Sequence, residues 1–127
     1  MKILGLYKEF WSEKAGVSER SVREDVRGAP SAEAEKVHAY LRDGYVLLAT
    51  MGATQDVLGS DESILGGDSL YTDGTWVWRG DLRFYVRRYH LALPEEFLDS
   101  VRESAYVVPP VPDDRLVELT YAIQEIV

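Results

Sequence analysis

The chain predicts an α+β domain. Three observations carry that expectation: apolar residues at helical spacing in several segments, one continuous apolar run of strand type, and an Asp-Gly pair between two short alternating stretches. At 127 residues, 46% of them hydrophobic, and a mean hydropathy of −0.21, residues 1–127 fit a single globular domain with its own core. A chain this long buries roughly two thirds of its unfolded surface, so it needs neither disulfide nor structural metal. The expected architecture is a small antiparallel sheet, including a hairpin over 69–78, packed against four to five helices.

Taken in order, residues 3–11 are apolar with Lys8 and Glu9 interspersed, and helix is slightly favoured over strand. Residues 17–28 mix charges with sparse valines, as a short helix or solvated loop would. Pro30 breaks the chain, and Ser31 is placed to cap a helix. Glu33 and Glu35 stand near its positive end, Ala34, Val37, Tyr40 and Leu41 on one side, and Gly44 supplies the stop. "YVLLATM", residues 45–51, predicts a buried strand. Residues 52–68, rich in glycine and acids, carry loop chemistry, and a loop this long either is functional or contains a short strand around Val57 or Ile64.

The next stretch, "SLYTDGTWVWRGDLRFYVRRYH", is the most informative. Asp73-Gly74 predicts a two-residue type I′ turn, which needs positive φ at both central positions. Asp81 reads as the cap of a helix whose apolar stripe is Leu82, Tyr85, Val86 and Tyr89, ended by the approach to Pro94. Pro94 opens a further helix with Phe97, Leu98 and Val101 inward. The prolines of "AYVVPPVP" impose an extended path. Asp113 or Asp114 caps a last helix carrying Leu116, Leu119, Tyr121, Ile123 and Ile126.

Composition excludes much chemistry. There is no Cys, which removes thiol catalysis, thiolate metal sites and disulfides together. His38 and His90 lie far apart in sequence and read as solvated or hydrogen-bonded imidazoles, so no metal site is expected. "DVLGSDESILGGD" lacks the alternating ligands and terminal Glu of an EF-hand, and neither a phosphate loop nor a dinucleotide fingerprint occurs. No Ser sits in a nucleophile elbow. The pairs Asp61-Glu62, Glu95-Glu96 and Asp113-Asp114 are explained by helix capping or solvation. No catalytic activity and no cofactor are expected; an enzyme would require groups such as Glu62 and His90 to converge in a cleft. Lys8, Glu9, Glu13 and Lys14 interrupt any signal-peptide core, and no apolar run is long enough to span a membrane, so a cytoplasmic location is expected.

Charge is the strongest global signal. Acidic residues number 22 against 14 basic, a net charge of −8, which disfavours nucleic acid and anionic membranes as partners. Between Asp43 and Trp78 there is no Lys or Arg, while Asp56, Asp61, Glu62, Asp68 and Asp73 all fall there. Arg79, Arg83, Arg87 and Arg88 then form a basic patch, expected to bridge to acids such as Glu95 and Asp99 and to stack on the hairpin tryptophans.

The string "TDGTWVWRGDLRFYVRRYHLALPEEF" resembles a pattern found in small uncharacterised bacterial proteins: Thr-Asp-Gly, Trp-x-Trp, Asp-Leu opening a helix, Tyr-x-x-x-Tyr-His, then Leu-Pro-x-Glu-Phe. In size, acidity and lack of catalytic residues the chain is similar in type to immunity proteins, which cover the active site of a bacterial toxin. That similarity implies a non-catalytic, acidic inhibitor of a basic toxin. The expected partner surface comprises Asp56, Asp61, Glu62, Asp68 and Asp73 as acids, with Tyr71, Trp76 and Trp78 as aromatic anchors. The alternative is a small-ligand or regulatory domain with a pocket between hairpin 69–78 and helix 81–90.

Overall fold

The computed structural model describes residues 1–127, and its elements are of the α+β class. In chain order they are β1 (Lys2–Ile3), two 3-10 turns at Glu13–Ala15 and Val22–Asp25, α1 (Ala34–Arg42), β2 (Tyr45–Leu48), β3 (Ala53–Gln55), β4 (Ser63–Leu65), β5 (Leu70–Thr72), β6 (Trp76–Arg79), α2 (Leu82–Tyr89), α3 (Glu95–Glu103) and α4 (Asp113–Gln124). One sheet runs β1-β6-β5-β2, and β3 with β4 makes a separate two-stranded ribbon.

The main sheet is mixed, not antiparallel, because β1 lies parallel to β6. Lys2 N donates to Thr75 O at 3.0 Å and Leu4 N to Val77 O at 2.8 Å. The expected helix over 3–11 does not form. Gly5, at φ +73°, turns the chain away from the sheet after two paired residues, a conformation a helix excludes.

β5 and β6 form the hairpin, with Tyr71 opposite Trp78 and Thr72 opposite Val77. Its turn differs from a type I′: positive φ occurs at Gly74 alone, not at Asp73. The physical reason is the Asp73 side chain. Its Oδ1 accepts from Thr75 N at 3.0 Å and Trp76 N at 2.8 Å, so the carboxylate closes the turn and Asp73 keeps ordinary backbone angles.

Both faces of the sheet are covered. Trp76 and Trp78 project into the main core, where the Phe97 ring meets them edge-on at 5.6 and 6.1 Å, and Tyr40 at 5.8 Å. Trp78 Nε1 donates to Leu41 O at 3.1 Å. On the other face Leu70 and Val77 pack with Ile123 of α4. Alternation along β6 is therefore as the sequence implies, but both sides of it are interior.

The segment read as a buried strand is the sheet's edge. β2 pairs with β5 on one side only, with a register irregularity between Val46 and Leu48, and Tyr45, Val46 and Leu48 are exposed. The helices fall where expected, although their side-chain caps do not. Glu33 and Pro94 precede α1 and α3, Pro112 precedes α4, and none makes a capping bond. α2 ends at His90 in the left-handed region, φ 56°, rather than at Pro94.

Candidate functional site

Each candidate acid has a distinct fate. Asp73 is buried in the hairpin turn and also accepts from the Tyr40 hydroxyl at 2.7 Å. Asp56 is buried: its carboxylate accepts from Leu58 N at 2.7 Å, Ser60 N at 3.2 Å, and the hydroxyls of Ser60 and Tyr89. Burial pushes that carboxyl up, but donors from Ser60, Tyr89 and Leu58 outweigh it and hold the group below its ordinary range. Both carboxylates turn inward, each closing a turn, where the sequence predicts them on a surface. Asp61, Glu62 and Asp68 remain exposed, Asp68 accepting from the Thr50 hydroxyl.

Two of the three expected aromatic anchors are buried. Trp76 is 6% exposed and Trp78 1%, so neither indole is available to a partner. α4 takes up the second face of the sheet, which leaves the tryptophan face free to bury both rings under α1, α2 and α3. Tyr71 is half-buried, with the Arg83 guanidinium 5.9 Å from its ring centre. The space between the hairpin and α2 is filled by Trp78, Leu82 and Tyr85, which closes the expected ligand pocket there.

What faces solvent instead is aliphatic. Along the β2 edge and into the β3–β4 ribbon, Val46 is 55% exposed, Met51 95% and Leu65 81%. Leu65 pairs with Ala53, and Gly66 N donates to Gly52 O at 2.7 Å, so Met51 and Leu65 flank the same end of the ribbon. Asp68 stands beside them and Asp61 and Glu62 precede β4. Edge strands are ordinarily guarded by Lys, Pro or inward charge. "YVLLATM" carries none of these and is blunted only by the irregularity near Leu47. The sequence signal is that uncharged run, which suits an interior strand and an unguarded edge equally.

The arginines also take partners other than those expected. Arg79 pairs with buried Asp81 at 2.9 Å and lies over the Phe10 ring, while Arg102 takes Glu95 and Asp99. Burial pushes the Asp81 carboxyl up against the opposing pull of Arg79. Arg87 meets Glu35 at 2.8 Å and Arg88 reaches Glu62 at 3.9 Å. Arg83 has no carboxylate within salt-bridge distance and lies over Tyr71 instead. With His38 and His90, the three arginines of α2 line an open cleft of about 620 Å³ on that helix's solvent side. Glu62 and His90 both border this cleft, but the Glu62 carboxylate turns to Arg88 at 3.9 Å and no hydrogen bond joins it to His90.

No helix is long and apolar enough to cross a membrane, and no cluster of three or more His, Asp or Glu side chains could hold a metal ion. No protein-family model, no curated protein and no solved structure matches this chain.

Proposed function

We propose that the chain is a non-catalytic, acidic protein-binding protein of the immunity or inhibitor type, whose partner is a basic bacterial toxin such as a nuclease. The observation that carries this reading is the exposed, uncharged β2 edge running into Met51 and Leu65, with Asp68 beside them and the exposed acids Asp61 and Glu62 at the other end of the ribbon. Aliphatic anchors inside a charged rim are the composition of a protein interface. The acids attract a cationic partner and speed encounter; the apolar residues, desolvated on docking, slow release. The unpaired β2 edge adds main-chain hydrogen bonds to a partner strand.

The reading differs from the sequence-based expectation in its anchors. Met51, Leu65 and Val46 replace Trp76 and Trp78, and the acidic set contracts to Asp61, Glu62 and Asp68. Affinity capture from the native organism at low salt tests it, with three baits: wild type, Met51→Glu with Leu65→Glu, and Asp61→Asn with Glu62→Gln and Asp68→Asn. The expected result is one basic protein retained by wild type and lost with the apolar variant. The charge variant should slow association about fivefold, a deficit that vanishes in high salt. A partner indifferent to both variants, or one that is acidic, overturns the proposal.

A further inference from the structure

A second site, of opposite sign, lies on the solvent side of α2. We infer that the cleft walled by Arg83, Arg87, Arg88, His38 and His90 binds a small phosphomonoester, its phosphate held by the guanidiniums and its organic body against Phe84 and Ile64.

Four observations support the assignment. The cleft concentrates cations on a molecule of net charge −8. Like charges gathered at one place raise each other's energy, so the cluster is stabilised by an anion. Second, the local carboxylates do not satisfy it. Arg87 and Arg88 each meet one exposed acid, Glu35 and Glu62, while Arg83 meets none. A guanidinium without a carboxylate presents its planar fork to phosphate, which it matches bidentately. Third, two imidazoles, His38 and His90, border the same cleft and can add N–H donors to the guanidinium set. Fourth, Phe84 and Ile64 make the cleft's apolar portion, and about 620 Å³ accommodates a metabolite-sized molecule.

The sign of the whole molecule narrows the ligand class. An extended polyanion would lie across the acids outside the cleft and be repelled along most of its length. A small anion feels the local arginines and little of the distant field, because charges beyond about 8 Å are screened at physiological ionic strength. The cleft therefore selects a compact phosphate ester over nucleic acid. It adjoins the Leu65 end of the ribbon, since Glu62, Ile64 and Phe84 also border the shallow groove beside Leu65, but none of its cations belongs to the Met51 and Leu65 surface.

Titration of the isotope-labelled full chain with inorganic phosphate and with a nucleoside 5′-monophosphate, followed by amide NMR at constant ionic strength, tests the inference. The expected result is saturable shifts at Ile64, Gly80 and Phe84, with the monophosphate binding about threefold tighter than phosphate. Arg83→Gln and Arg88→Gln should each weaken binding fivefold or more, and Arg83→Lys should recover only part of the loss. Glu62→Gln should tighten binding, whereas Glu125→Gln, an equal charge change just past the end of α4, should leave it unaltered. Unsaturable shifts, or equal effects of Glu62→Gln and Glu125→Gln, would reduce the cleft to a general field effect and overturn the site. No gain for the ester over phosphate would overturn the ligand class, as would tighter binding of a single-stranded oligonucleotide.

Discussion

Replacing Asp73 separates two accounts of one residue, because it stands in the sequence-derived partner surface yet the structure gives it to the fold. Its Oδ2 accepts from the buried Tyr40 hydroxyl at 2.7 Å, and its Oδ1 from Thr75 N and Trp76 N at 3.0 and 2.8 Å. Asp73→Ala orphans all three donors. Thr75 is exposed, so its N–H returns to water, but Tyr40 and Trp76 are buried. Each unsatisfied buried group costs about 1–3 kcal/mol, giving a loss on the order of 4 kcal/mol. With a urea m-value of about 2 kcal/mol/M for a domain of this size, the unfolding midpoint should fall by about 2 M. Tryptophan fluorescence reports the transition, since Trp76 and Trp78 both lie in the core behind the turn. Tyr40→Phe alone should cost about 1 kcal/mol, and in the Asp73→Ala background it should be neutral or stabilising, because it removes the orphaned hydroxyl. That non-additivity is the signature of a shared buried bond. A midpoint shift below about 0.5 M, or additive single effects, would refute the structural role and return Asp73 to the partner surface.

Two further outcomes follow from packing and from charge. At Gly67 an added Cβ would lie 2.0 Å from Thr54 Oγ1 and 3.1 Å from Ile64 O, while at Gly52 it would meet nothing within 4 Å. Gly67→Ala should therefore cost about 2–3 kcal/mol by overpacking, and Gly52→Ala should leave stability nearly unaltered; urea melts of the pair check the contrast. On acidification, Asp25 and Glu9 act alike. Burial raises both carboxyls, but Arg20 and Tyr7 at Asp25, and Ser21 with Val22 N at Glu9, hold them below their ordinary 3.8 and 4.5. Groups depressed in the folded state give stability that is complete above those ordinary values and is lost as pH falls through the lower folded ones. The melting temperature should decline below about pH 4.5, and Asp25→Asn should flatten that decline while lowering stability at pH 7. A profile flat to pH 3 would refute the assignment. Asp81, raised by burial, works in the opposite direction and moderates the loss.

The fold was readable in the sequence where one local rule decided the outcome, and unreadable where two elements competed for the same face. The helices at 34–42, 82–89, 95–103 and 113–124 follow from apolar spacing and proline position. β5 and β6 follow from alternation about Asp73-Gly74, although the side-chain closure of the turn, which changes its type, carries no separate signal in composition. Two matters of tertiary placement were lost. Nothing local says that α4 covers the second face of the sheet, and on that fact depends whether Trp76 and Trp78 face water. Nor does "YVLLATM" announce that it lies at an edge: an uncharged run is equally consistent with a central strand and with an unguarded edge awaiting a partner. The acids misled for a related reason. A carboxylate in a glycine-rich loop is as good a turn-closing acceptor as a surface charge, and Asp56 and Asp73 serve as the former.

Glu62 joins the two proposed surfaces. It borders the acidic rim of the ribbon and reaches Arg88 across the α2 cleft at 3.9 Å. One carboxylate cannot serve a cationic partner and Arg88 at full strength together. A partner that draws Glu62 toward itself releases Arg88 for an anion, and an anion on Arg88 releases Glu62 for the partner. The two ligands therefore favour each other, and the coupling is reciprocal because both act through the same pair. Its size is bounded by what the pair is worth: both side chains are more than half exposed, and such pairs contribute little in water, so the mutual enhancement is at most about fivefold. The effect is thus a modulation of binding, and Glu62→Gln should abolish it while leaving the apolar contacts of Met51 and Leu65 in place.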